Sequence, residues 1–257
     1  MSRMLSLFDD GLATAAHLFQ TGRTTRAAAT LTQLRGGAGT TADAVKVLRA
    51  GAAVAVTAEK FRRARKLLRE AIALAPTDAG LWFEMGRAFE DDPHGCDRKA
   101  ARRYKKAAQL NANEPKFKAT LGRAMVRINE LGSGVRHLCR AAEAAPTDAD
   151  VLGVVAEGLR EAGRAELAFQ LLSKARVLAP TDRAIEHLWS RAKFDMLAQQ
   201  QKGGHGTQPT SIPMLRVFND APTPDVSNSS RTAYRADNTH SPAPHIARLR
   251  AYRSDMG

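Results

Sequence analysis

Between residues 45 and 182 the small and apolar residues recur at spacings of three and four, and the runs that carry them come in pairs. The first pair holds Leu48, Ala52 and Ala55, then Ala64, Leu68 and Ala71. The second holds Trp82, Met85, Gly86 and Phe89, then Ala100, Tyr104 and Ala107. Such spacing places one apolar stripe on each of two amphipathic helices, with charged residues on the far sides. The pairs are punctuated. Ala-Pro-Thr-Asp occurs at residues 75–78, 145–148 and 179–182, and a degenerate copy, Asn-Ala-Asn-Glu, fills 111–114. Proline stops the helix before it, because it lacks an N–H and its ring crowds the preceding turn. The Asp, or the Thr beside it, is placed to accept a hydrogen bond from the free N–H groups that open the next helix. The motif therefore reads as a stop followed by a start.

Pro146 and Pro180 are 34 residues apart, and a fixed period of this size marks an array of stacked supersecondary units. With the proline slot set at position 32, four units follow: 45–78, 79–114, 115–148 and 149–182. The second needs two extra residues, which fall in the Asp92-Pro93-His94-Gly95 turn. The third gives Leu121, Gly122, Met125, Gly134, Leu138 and Ala141; the fourth gives Leu152, Val155, Ala156, Leu159, Gly163, Ala168, Leu172 and Ala175. This pattern resembles the tetratricopeptide repeat, TPR, of which Trp82-Met85-Gly86-Phe89 with Ala100-Tyr104-Ala107 is the best match in the chain. The resemblance implies an all-α, right-handed α-solenoid of stacked antiparallel helix pairs. Small residues at positions 8 and 20, such as Gly86 and Ala100, then let the two helices of a unit approach closely.

The ends are atypical, as the ends of solenoids are. Leu18, Gly22, Ala27, Leu31 and Leu34 fit a weaker unit, so residues 1–44 read as a degenerate TPR-like hairpin closing the N-terminal side. Residues 183–200 read as a capping helix with Ile185, Leu188, Trp189, Ala192 and Met196 on one face. From residue 201 to 257 Gly, Ser, Thr, Pro, Asn and His dominate, and a disordered tail is expected. Two islands interrupt it, an apolar one at 212–218 and a basic one at 245–253.

Composition narrows the functional classes. Of 257 residues 44% are hydrophobic and only 5% aromatic, which suits closely packed helices built from Ala, Leu and Val. Two cysteines, Cys96 and Cys139, do not make a disulfide framework, and no apolar run has the length of a membrane span or a signal peptide. A cytoplasmic protein is expected. The glycine run at 36–39 lacks the preceding strand and the Gly-Lys-Ser/Thr of a phosphate loop. His94, Cys96 and Asp97, and His137 with Cys139, lack a second half for zinc. No catalytic constellation, metal or cofactor is expected, and the chain reads as non-enzymatic.

The net charge of +13 points instead to acidic partners. In the TPR fold the first helix of each unit lines a concave groove. The resemblance places there Lys46, Arg49, Phe83, Arg87, Glu90, Asp91, Lys116, Arg123, Arg127, Glu157, Arg160 and Glu161. Some TPR domains clamp a terminal carboxylate with Lys, Asn and Arg at set positions. Here those positions hold Arg49, Ala53, Glu84, Lys116 and Thr120, so that clamp is not carried over. Arg87, Arg123 and Arg127 are expected to meet an acidic peptide. A second surface lies on the outer, convex side: Lys60, Arg62, Arg63, Lys66 and Arg69 on one second helix, and Arg98, Lys99, Arg102, Arg103 and Lys106 on the next. It has the electrostatic footprint of a polyanion site, without interleaved aromatics for base stacking. The expected function is a TPR adaptor that binds a protein or peptide segment in its charged groove. The alternative is binding of RNA or the ribosome through the convex patch, and a third reading lets a tail island occupy the chain's own groove.

Overall fold

The computed structural model describes the backbone of residues 2–202 and the side chains of 8–201. The expected tail beyond residue 202, with both islands, lies outside the described residues. Eleven helices follow one another among the described residues: α1 (Ser2–Gln20), α2 (Thr24–Gly36), α3 (Thr41–Thr57), α4 (Phe61–Leu74), α5 (Ala79–Glu90), α6 (Asp97–Leu110), α7 (Pro115–Arg127), α8 (Leu131–Ala144), α9 (Ala149–Glu161), α10 (Ala165–Leu178) and α11 (Arg183–Lys202). Each odd-numbered helix before α11 pairs with the even one after it, and each even one packs against the next odd one. The outcome is an all-helical solenoid.

The repeated motif behaves as punctuation, and aspartate is the capping group. The Asp78 Oδ1 accepts from the N–H groups of Gly80 and Leu81 at 2.8 and 3.4 Å, and Asp182 repeats this with Ala184 and Ile185 at the same distances. Asp148 accepts from Val151 at 3.1 Å. In all three copies the Asp N–H also donates to the carbonyl of the motif's first alanine, at 3.2 to 3.3 Å, so one turn geometry is used three times. Glu114 serves the same end in the degenerate copy, accepting from the Lys116 N–H at 3.3 Å. Thr40 caps α3, its hydroxyl accepting from the Asp43 N–H at 3.1 Å, which starts that helix ahead of Val45, where the repeat register begins.

Within a pair the turn is a left-handed one. Gly22, Glu59, Asn129 and Gly163 have φ of 75, 56, 67 and 75°. In each case the next residue's N–H bonds back to a carbonyl five residues earlier, at 2.8 to 2.9 Å, which closes a Schellman motif. The α5–α6 connection is longer. Asp92 holds it, accepting from the His94 N–H at 3.0 Å and pairing with Arg65 of α4 at 2.6 Å.

Leu68, Leu81, Tyr104, Leu138, Leu152, Leu159 and Leu172 are fully buried along the solenoid. The helices meet most closely where side chains vanish. A Cβ added at Gly122 or at Gly134 would lie 2.8 to 2.9 Å from the other's carbonyl oxygen, and one at Gly86 would lie 2.5 Å from the Tyr104 ring. At the N-terminal end Phe8, Ala15, Ala27 and Leu31 pack with Val47 and Val54 of α3. At the other end α11 buries Ile185 and Ala192, and Trp189 meets Phe169 with ring centroids 5.6 Å apart. Phe194 and Leu197 of α11 stay exposed.

Candidate functional site

The expected groove residues divide into two sets. Arg49, Glu90, Arg123, Arg127, Glu157 and Arg160 close on one another and on neighbouring helices. The Arg123 guanidinium reaches Glu90 of α5 at 2.7 Å and also pairs with Glu157 of α9. Arg127 pairs with Glu161 at 2.8 Å and with Glu90 as well. The Tyr104 hydroxyl donates to Glu90 from α6. Arg160 joins Asp195 of α11 at 3.1 Å, and Arg49 joins Glu84 at 2.6 Å. These bonds form a ladder whose rungs connect each first helix to the next, and the central rungs are buried: the Arg123 and Glu90 side chains are 11% and 8% exposed.

The burial has a definite electrostatic consequence. Desolvation opposes the charge on Arg123, but Glu90, Glu157 and Glu161 outweigh it and raise its pKa further. Arg127 is raised in the same way, its burial offset by the hydrogen bond to Glu161 and by Glu90. Burial, then the Glu90 charge, pushes the Tyr104 phenol well above its ordinary value, so it stays a donor. Glu84 is raised by burial in spite of Arg49. Arg123 and Arg127 thus hold α5, α7 and α9 together, and their donors face internal carboxylates.

The second set is open. Lys46 and Lys116 are exposed, with Lys46 only 3.6 Å from Asp43 of its own helix. Arg87 is 45% exposed and lies a loose 3.9 Å from Asp91. On α5 and α7 Phe83 stacks on Phe117, centroids 4.9 Å apart, and Phe83 tilts against Tyr104 at 5.4 Å. Both phenylalanines are half-buried.

On the outer side the basic residues sit on α4 and α6. Arg103 lies over the Trp82 ring at 5.3 Å, Lys99 over Phe89 at 6.0 Å, and the Arg69 Nε–H donates to the Arg65 carbonyl at 3.3 Å. Lys60, Arg62, Arg63, Lys66, Arg98, Arg102 and Lys106 are exposed and form no ion pair with any described carboxylate. Inner-face charge is largely compensated within the chain; outer-face charge is not.

The partners Glu84, Phe117 and Asp195 are not among the expected groove residues. A signal for the ladder exists in the sequence: Arg123 and Glu157, and Arg127 and Glu161, are opposite charges one repeat period apart. Among the described residues no three His, Cys, Asp or Glu side chains come together as metal ligands. Cys96 is exposed; Cys139 is buried, which raises its thiol pKa. No helix among the described residues is long and apolar enough to cross a membrane.

No protein-family model matches the chain, and no curated protein matches it. Solved structures do. TTC0263, a thermophilic TPR protein of Thermus thermophilus, superposes with a TM-score of 0.60 at 16% identity, covering 73% of this chain and 99% of that one. MamA superposes with a TM-score of 0.52 at 14% identity, covering 81% of this chain and 100% of that one. A second MamA structure gives 0.51 at 14% identity, with 64% and 93% covered. At such identities the likeness is one of fold: with its register of helix pairs, caps and left-handed turns, the chain has the stacked helix-pair architecture of these TPR structures.

Proposed function

We propose that the chain is a non-enzymatic interaction scaffold that holds an acidic, extended protein segment across the inner faces of α3, α5 and α7. The observation that carries this reading is the pairing of open cations with an open ring stack. Lys46, Arg87 and Lys116 are exposed on the first helices α3, α5 and α7, the last two of which also carry the half-buried Phe83–Phe117 stack, while Arg123, Arg127 and Glu90 are fixed by their own ladder. A preformed surface of this kind binds by shape and charge, without a covalent step, and a rigid frame lowers the ordering cost of binding. The partner's carboxylates meet the three cations and an apolar side chain meets the exposed ring edges. Arg123 and Arg127 enter this reading as pillars rather than as contacts, because their donors point into the chain. The reading is of a protein working in the cytoplasm.

The test is capture of partners by the full chain against a variant carrying Lys46→Glu, Arg87→Glu and Lys116→Glu. The variant is expected to lose the captured segment while its helical content and melting temperature stay near those of the parent. Retention of the same partner at the same level would sink the groove reading.

A second reading rests on the seven outer cations that pair with no described carboxylate. Such a face suits a polyanion, whose affinity falls steeply with salt as counterions are released. Arg62→Glu, Arg102→Glu and Lys106→Glu should then remove bound nucleic acid and leave the groove partner in place. Binding of an RNA oligonucleotide with no salt dependence would exclude it.

A further inference from the structure

Position 7 of the repeat is a large apolar residue in three units: Met85, Leu121 and Val155, which are 2%, 5% and 0% exposed. Each packs into the core between successive helix pairs. Met85 packs with Leu48, Leu68 and Ala71, for example, and Leu121 with Ala100 and Tyr104. The first full unit has Gly51 there instead. A Cβ added at Gly51 meets only the flexible end of Leu67, at 3.3 Å. Gly51 lies in the floor of a cleft of about 630 Å³ between α2 and α4, where α3 forms the base. Ala28, Ala55 and Ala58 widen it, and Leu31, Leu48 and Leu67 make its walls apolar. Of the four full units this one alone has a glycine at that position.

The rim is charged in one sense. Lys60, Arg63 and Lys66 line it, are exposed, and form no ion pair with a described carboxylate. Its acid, Glu70, is already engaged by Arg35 at 2.9 Å. We propose that this cleft is a second docking site, distinct from the inner groove, that accepts an amphipathic helix from a partner. A leucine-sized side chain of that helix fills the space above Gly51, and Asp or Glu on its flanks meets Lys60, Arg63 and Lys66. The helix lies between α2 and α4 as a substitute wall. α2 has 13 residues, which allows about 20 Å of contact, three to four turns. A nucleic acid fits less well: the floor is aliphatic, and no ring is there for a base to stack on.

The experiment uses the full chain and a fluorescein-labelled synthetic amphipathic helix of three to four turns, with leucines on one face and glutamates on both flanks. Gly51→Leu restores the plug from within the chain. It is expected to weaken the probe at least about tenfold while leaving the melting temperature unchanged or higher, since the new side chain occupies existing space. Lys60→Glu with Arg63→Glu and Lys66→Glu should weaken the probe as well, and a probe with its glutamates changed to lysine should not bind. Equal affinity for parent and Gly51→Leu would overturn the proposal. So would binding of a single-stranded RNA oligonucleotide in place of the peptide. If the probe binds only after Leu215→Ser and Phe218→Ser in the full chain, the chain's own tail fills the cleft and the proposal falls. If the parent is a dimer that Gly51→Leu dissociates, a second copy fills it, with the same result. The variant Arg136→Glu, on the exposed side of α8 and outside both the cleft and the inner groove, should leave probe binding unchanged.

Discussion

Arg123→Met cuts the ladder at its centre and keeps most of the side chain's apolar stem. The arginine is 11% exposed and bridges Glu90 and Glu157, which are 8% and 15% exposed. At a separation of about 4 Å and an effective dielectric near 20, each contact is worth about 4 kcal/mol of gross attraction. Part of this offsets the cost of taking three charges out of water, so the gross figure is not the loss. What remains after the substitution is decisive: two carboxylates, still buried, facing a methionine. Breaking a buried pair from one side costs about 3–5 kcal/mol. Glu90 keeps Arg127 and Tyr104, which places the expected loss near the lower end, about 3 kcal/mol. For a chain of this size that is roughly 6–12 °C in melting temperature. Thermal and urea denaturation followed by circular dichroism near about pH 7.5 measures it, with Arg87→Met as the control. Arg87 lies on the same face but is 45% exposed and only loosely paired, and its loss should cost under about 0.5 kcal/mol. A loss below about 1 kcal/mol would refute the claim that the ladder holds the first helices together.

Three further outcomes follow from single residues. Glu59 occupies a left-handed turn position at φ 56° where the equivalent Gly22 and Gly163 carry no Cβ, so Glu59→Gly should stabilise the chain by about 1 kcal/mol in urea melts. Gly86→Ala drives a methyl into the Tyr104 ring and should cost about 1–3 kcal/mol, whereas Gly132→Ala, with open space around it, should be neutral or gain about 0.5 kcal/mol; equal effects would show that the close approach is not tight. Burial, then the charges of Arg140, Arg136, Lys118 and Lys105, hold the His137 pKa below its ordinary 6.5. The unfolded chain therefore protonates first, the contribution is complete above about pH 6.5, and stability declines as pH falls toward the folded-state pKa. His137→Gln should flatten that decline in a series of melts across the range, and an unchanged slope would count against it.

Much of the frame is readable from the residues. Proline followed two residues later by aspartate fixes where α4, α8 and α10 end and where the next helix begins, because both effects are local: a missing N–H and a side chain two or three residues from its target. The apolar stripes mark the buried faces for the same reason. The roles of Arg123 and Arg127 are less accessible. The register puts all four of Arg123, Arg127, Glu157 and Glu161 on the inner face; it does not tell that the guanidiniums close on those carboxylates rather than face a partner. That is a tertiary distance, and its trace in the sequence is a reversal of charge at the repeat period. The cleft above Gly51 is harder still to read, since a glycine at a helix position passes as a permitted small residue until the other units are seen to carry Met85, Leu121 and Val155 at the same place.

The uneven placement of charge has a mechanical meaning. Attractions join successive first helices along the inner face, from Arg49–Glu84 through Arg160–Asp195. On α4 and α6 the exposed cations Arg62, Arg63, Lys66, Arg98, Arg102 and Lys106 pair with no described carboxylate. Attraction along one side of the array and like charge along the other would bias it to bend in a single sense. Salt screens the exposed charge over about 10 Å at about 0.1 M and barely touches the buried rungs. Ionic strength therefore works on this molecule as a tuning of stiffness: the inner ladder sets the spring, and the surrounding electrolyte decides how far the outer charges load it.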